Sequence, residues 1–284
     1  MKRKVCFIIL HYGKNTDITM NVINSIKALE NKECVDIVVV CNGREYNLNK
    51  NVAEDQLSGV DIVVLEDNKG FSVGNNAGYV YAKKKDDYDF IIFVNNDIVI
   101  EQKDFIERLY HIYERNPFYV GGPDIYIPYT AYHSSPMEDK LLSLEDISQI
   151  IVKRRKAIQE YQRSFSLKVF KSYILDTFNG RNTFSCFFKV WRRIRKNNKK
   201  YEFEQQNVIL QGACLIFSRD YISCNQKAFE PEVFLYFEEY YLARKCERNQ
   251  WKTLYSNEIQ VIHLHRGSSG LFGQTYREYC KKRI

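Results

Sequence analysis

Three short stretches of this 284-residue chain carry side chains suited to polar chemistry: Asn95-Asn96-Asp97, Glu238-Glu239 and the histidines His263 and His265. The first ends an apolar run, Phe90 to Val94. Two amides and a carboxylate there form either a turn, since Asn and Asp hydrogen-bond their own backbone, or a ligand site at the carboxyl end of a sheet strand, where α/β proteins bind ligands. Adjacent carboxylates raise one another's proton affinity and can act as a general base. Acids also favour a helix N-terminus for dipole reasons alone. The histidines close an apolar strand and precede Arg266-Gly267-Ser268-Ser269-Gly270. A strand-end histidine is commonly a hydrogen-bonded structural residue.

These groups need a scaffold, and the first 130 residues predict one. Val5–Leu10 is a continuous apolar run, as in a strand buried on both faces. Residues 15–30 carry Ile18, Val22, Ile26 and Leu29 at helical spacing, with Asn15 or Thr16 as N-cap. Strands are expected at 35–40, 60–66 and 90–94, a helix from Ser72 to Lys85, and an amphipathic helix with Phe105, Leu109 and Ile112 on one face. This alternation predicts an α/β fold with a parallel, doubly wound sheet. Strand-like runs return at 208–218, 253–256 and 259–265, with a helix at 238–249 between them.

The composition excludes several classes. Hydrophobic residues make up 45%, enough for a core and against global disorder. Eight cysteines include no C-x-x-C pair, which predicts a reduced, cytoplasmic chain rather than a disulfide scaffold. The basic and apolar start is too short for a signal peptide and lacks a small-residue cleavage site. No run of about 18 apolar residues predicts a transmembrane helix.

In order along the chain, "HYG", "CNG", "DNKGFSVGNNAG", "NND", "GAC", "FEEYYLARK" and "HLH" resemble the motifs of inverting family 2 glycosyltransferases of the GT-A fold, particularly the rhamnosyltransferase-like branch. The resemblance covers about residues 1–128 and 207–270. It implies a Rossmann-like, mostly parallel sheet flanked by helices. It also implies a division into a nucleotide-sugar-binding half (1–132), an insertion (133–206) and an acceptor-side half with a basic tail (207–284). "NND" resembles a DxD motif, so Asp97 is the implied metal ligand, with Asn95 in place of the first acid and Asn96 beside the donor. An amide there brings no charge, which implies weaker metal binding. Mg²⁺ or Mn²⁺ would suit oxygen ligands, and His263 is the implied further metal or diphosphate contact, imidazole suiting Mn²⁺ better. Glu239 matches the usual general base, Glu238 its acidic neighbour and Arg244 an orienting group. Tyr241 stands where many relatives carry an Asp. Tyr12 is the implied partner of the nucleotide base. Asn42 is retained where Cys41 and Arg44 replace an Asp and a Ser. Asn68, Gly70 and Asn76 match donor-site positions, and Gly212 and Ala213 the loop beneath the acceptor. A dTDP- or UDP-sugar donor and a glycan or lipid-linked glycan acceptor are implied.

The insertion is distinctive. Lys153 to Lys200 holds fifteen Lys/Arg against two acids, Glu160 and Asp176, interleaved with aromatics such as Phe184, Phe187, Phe188 and Trp191. A charge run is usually a solvated face. Aromatic interleaving suits an anionic membrane surface, here the inner face, or a homo-oligomer interface; nucleic acid is not expected, for want of an accompanying motif. The rival to a transferase is a non-catalytic membrane- or polyanion-binding protein on a decayed transferase fold, which the substitutions Asn95 and Cys41 favour. A nucleotidyltransferase would want a Gly-rich pyrophosphate loop after strand one, which "HYGKNTD" lacks.

Overall fold

The computed structural model describes residues 3–128, 131–141 and 201–264, with a few isolated positions between 143 and 152. The chain divides into two compact units, one of residues 1–141 and 198–284, the other of 142–197. The second unit lies almost wholly outside the described residues, so the expectations for Lys153–Lys200 lie outside them too. His265 and the Arg266–Gly270 stretch lie outside them likewise.

The first unit is built from β1 (Val5–His11), α1 (Thr16–Lys27), β2 (Val35–Asn42), β3 (Val60–Leu65), α2 (Phe71–Lys85), β4 (Phe90–Asn95), β5 (Ile98–Val99), α3 (Phe105–Arg115), β6 (Val120–Ile127), β7 (Tyr132–His133), β8 (Gln205–Gln206), β9 (Cys214–Ser218), α4 (Arg219–Cys224), α5 (Glu238–Arg248) and β10 (Thr253–His263). Among the described residues these strands form one sheet in the order β3-β2-β1-β4-β9-β6-β10-β5, with β7 on β6 and β8 on β10. The ladders β2–β3, β1–β2, β1–β4 and β6–β10 are parallel, and β9 joins the halves by running antiparallel to β4 and β6. This is the Rossmann-like sheet with flanking helices that the sequence implies.

Strand alternation sorts the core into two faces. Val5, Phe7, Ile9, Ile37, Val39, Phe90 and Ile92 pack with Val22, Ile23 and Ile26 of α1 and Phe105, Ile106 and Leu109 of α3. Cys6, Ile8, Val38, Val40, Ile91 and Phe93 pack with Tyr79 and Ala82 of α2, Tyr221 of α4 and Leu242 and Cys246 of α5. Both faces are covered by helices, which is why the strands read as unbroken apolar runs. Asn15 caps α1, its side chain accepting from Asp17 N at 3.2 Å.

Three local readings differ. The run 208–218 is a strand only from Cys214, because the N–H groups of Gly212 and Ala213 go to the side chains of Glu239 and Gln211. The two strands expected at 253–256 and 259–265 are one strand, β10, broken by a register shift between Ser256 and Gln260. Strand β6 carries Gly121, Gly122 and Pro123, which masked its apolar pattern. No helix among the described residues is long and apolar enough to cross a membrane.

Candidate active site

The topology puts the carboxyl ends of β1, β2, β3, β4 and β10 along one edge. Because β9 runs antiparallel to β4, it starts at that edge, and Val94 pairs with Cys214. The motif residues therefore converge on one edge from separate parts of the chain.

Asp97 and His263 meet there. Beyond the turn at Asn96-Asp97 the chain leaves β4, and β5 pairs antiparallel with β10, setting His263 opposite Ile98. His263 Nε2 lies 3.1 Å from Asp97 Oδ1, both side chains are buried, and Asp97 O accepts from Leu264 N at 2.9 Å. Two adjacent ligands of an octahedral ion at about 2.1 Å would lie about 3 Å apart, so this separation fits one Mg²⁺- or Mn²⁺-sized ion. No group of three or more His, Cys, Asp or Glu able to hold a metal occurs among the described residues. An ion here would thus take two of its ligands from these side chains and complete its shell with phosphate oxygens and water, the usual Mg²⁺ pattern.

Two hydrogen bonds, joined through backbone, link the end of β4, two residues before Asp97, to Glu239. Asn95 N donates to Ala213 O at 2.9 Å, and Gly212 N donates to Glu239 Oε1 at 3.2 Å. A Cβ on Gly212 would lie 2.5 Å from Glu239 Oε1, so only glycine admits this approach. Glu239 shares an apolar pocket with Val120, Val208, Leu210, Leu215 and Leu242, and burial raises its proton affinity above the ordinary carboxylate range. Glu238 is buried, and its Oε2 has no hydrogen-bond partner among the described residues. Burial, then the neighbouring Glu239 charge, push its pKa up to about 7. Both acids lie in the first turn of α5, so the helix dipole lowers some of this cost.

Several other expected donor contacts have internal roles. Asn42 Nδ2 donates to Asn68 Oδ1 (2.9 Å) and to Gly70 O (3.1 Å), while its Oδ1 accepts from Lys69 N (2.9 Å). Asn68 Oδ1 also accepts from Gly70 N at 2.9 Å. These two amides build the 68–70 loop. Asn76 clamps the 229–232 segment: its Oδ1 accepts from Phe229 N, and its Nδ2 donates to Phe229 O and Glu232 Oε1, each at 2.9 Å. Gly70, at φ +84°, lets the loop reach Phe234, whose O accepts from Phe71 N at 2.6 Å. Arg244 Nη1 pairs with Glu247 at 2.5 Å, one turn along α5. Tyr12 is exposed beside the site, with its ring edge-on to Tyr46 at 4.7 Å.

Two groups at this end escaped the sequence reading. His11 is fully buried, with Nδ1 2.7 Å from Thr19 Oγ1 and Nε2 without a partner among the described residues, and burial lowers its pKa to about 4. His133 Nδ1 meets both oxygens of the buried Asp124 at 2.8 and 2.9 Å, and Gln260 Nε2 donates to that carboxylate at 2.6 Å. The "HYG" motif contained His11, whereas nothing in sequence joined Asp124 to His133.

No family model matches the chain, and no curated protein does. Among solved structures it is similar to S. aureus TarS 1–349, with 19% identity, a TM-score of 0.36, and coverage of 44% of this chain and 36% of that one. The same fragment in complex with UDP-GlcNAc gives 20% identity, a TM-score of 0.37, and 44% and 35% coverage. A further TarS structure gives 20% identity, 0.37, and 44% and 22%. The matched region spans about a third of those chains or less.

Proposed function

We propose that this chain is an inverting family 2 glycosyltransferase of the rhamnosyltransferase-like branch, moving a sugar from a dTDP- or UDP-sugar to a hydroxyl of a glycan or lipid-linked glycan. The observation that carries this reading is the gathering at one sheet edge of the Asp97–His263 pair and, through Asn95 N to Ala213 O and Gly212 N to Glu239 Oε1, of the acid Glu239. This reading assigns the donor diphosphate to the Asp97 end of that gathering and the acid–base chemistry to the Glu239 end.

In this reading Asp97 and His263, with Asn95, hold Mg²⁺ or Mn²⁺, which when bound neutralises charge on the leaving diphosphate. Tyr12 packs against the nucleotide base. Glu239 takes the proton of the acceptor hydroxyl, whose oxygen bonds to the anomeric carbon as the bond to the diphosphate oxygen breaks, with inversion. Burial suits Glu239 to this role, because a base is most effective when its pKa lies near the working pH. Glu238 is the acidic neighbour of the base, Gly212 and Ala213 support the acceptor, and Arg244 orients the acids or the acceptor. Asn42, Asn68, Gly70 and Asn76 act through the loops that they hold. The enzyme works at the inner face of the membrane, docked by the basic 153–200 segment.

The test is a thermal-shift series with UDP and dTDP, with and without Mn²⁺ or Mg²⁺. A ligand that binds only the folded state adds about 2.7 kcal/mol at a hundredfold excess over Kd. A metal-dependent rise that Asp97→Ala abolishes is expected. Folded protein that responds to no nucleotide would instead support the non-catalytic binding protein.

A further inference from the structure

Ten large hydrophobic side chains are exposed among the described residues, and half of them lie within eight residues: Phe234 (62%), Leu235 (48%), Tyr236 (70%), Phe237 (53%) and Tyr241 (46%). Such clustering of exposed apolar groups marks an interaction surface. The run leads directly into Glu238 and Glu239, and its start rests on the N-terminus of α2 through Phe71 N to Phe234 O.

Its base is held firmly. Asn76 fixes Phe229 through both backbone groups, and Gly70 packs against the Phe234 backbone. Tyr236 and Phe237 nonetheless have φ of +69° and +73°. A left-handed conformation costs a residue with a Cβ roughly 1–2 kcal/mol, and here the exposed side chains recover little by burial. Backbone strain of this kind collects where a segment meets a ligand or partner.

The protruding groups define what fits. Three of the five groups, Phe234, Leu235 and Phe237, offer no hydrogen bond to a soluble glycan. A protein partner needs about 20–30 residues a side, whereas this rim supplies five. A bilayer accepts a few inserted aromatic and aliphatic groups. Stable attachment to it takes a second signal, commonly basic charge facing anionic lipid. The chain supplies that charge, with a net +7 and fifteen Lys/Arg between Lys153 and Lys200.

We propose that the Phe234–Phe237 run and Tyr241 form a membrane-inserting rim that seats the acid pair against an anionic bilayer. Resting on the transferase reading, the corollary is that the acceptor hydroxyl belongs to a molecule carried in that bilayer.

The experiment is co-sedimentation of the full chain with vesicles of phosphatidylcholine containing one-quarter phosphatidylglycerol. Leu235→Ser/Tyr236→Ser should partition about a hundredfold more weakly, the equivalent of losing two buried large apolar groups. Phe203→Ser should partition as wild type, since Phe203 is more exposed but precedes β8, at the opposite end of the strands. A Tyr236→Trp chain, which keeps the aromatic group, should shift its emission to the blue on these vesicles. Wild type that stays in the supernatant, a double variant that sediments like wild type, or rim-dependent self-association without vesicle binding would each overturn the proposal. Vesicle binding without any nucleotide-induced thermal shift would keep the rim and remove the transferase.

Discussion

Glu238 and Glu239 are neighbours in sequence, yet their surroundings differ. One oxygen of Glu239 is held by Gly212 N, while Oε2 of Glu238 is buried without a described partner. Replacing Glu239 by Gln keeps the volume and removes the proposed base, so under the transferase reading turnover should fall about 10²–10⁴-fold with the fold intact; steady-state kinetics beside a melting curve would check this. Glu238 also makes a stability prediction. Its folded pKa is raised from 4.5 to about 7, so its contribution is present below pH 4.5 and is lost as pH rises through 7. His11 acts with the opposite sign: its folded pKa is lowered from 6.5 to about 4, so its contribution is present above pH 6.5 and lost as pH falls toward 4. Wild type should therefore show a muted pH dependence between about 5 and 8. In Glu238→Gln the Glu238 loss is gone while His11 and the raised carboxyl of Glu239 remain, so Tm should fall less with rising pH than in wild type and exceed wild type at pH 8. An unchanged pH profile would show that Glu238 is not held in its protonated form.

At the scale of elements, the loops at the sheet edge depend on side chains that the sequence presented as donor contacts. Asn76→Ala removes three hydrogen bonds and strands the backbone of Phe229, which should cost roughly 2–4 kcal/mol in denaturant unfolding. Gly212→Ala should act differently, because its Cβ would meet the Glu239 carboxylate at 2.5 Å rather than the core. We expect a small change in stability and a roughly tenfold loss in turnover, read as kcat rather than KM, since misplacing a catalytic group by about 1 Å suffices for that. A comparable loss of stability and activity would assign Gly212 to packing alone. Helix α5 and the strands were legible because their periodicity is strong. Strand β6 was not, because Gly121, Gly122 and Pro123 dilute its pattern, and the double role of Asn42 and Asn76 was hidden because an amide reads alike whether it binds ligand or loop.

For the whole molecule, charge and apolar surface predict one behaviour. Attraction of a +7 chain to anionic vesicles is screened within about 10 Å at 0.1 M salt, so raising ionic strength should release the protein. Neutralising Arg192, Arg193 and Arg195 should weaken binding, at about 1 kcal/mol per charge at most, in a salt-sensitive way. Sedimentation across a salt series measures this, and binding indifferent to both salt and these substitutions would exclude the basic segment as a docking element.

The sequence by itself determined the alternating α/β order, the four apolar strands of the first half, the helix beginning at the acid pair and the motif residues that gather at one edge. Those features are local, since period, capping and strand ends are written within a dozen neighbouring residues. Only the tertiary structure decided that Asp97 touches His263, that Gly212 holds Glu239, that Asn76 serves the 229–232 segment and that Asp124 is matched by His133. Each of these depends on sheet order and on the antiparallel entry of β9. Strand pairing sets these contacts through register between distant segments, and no local pattern records it.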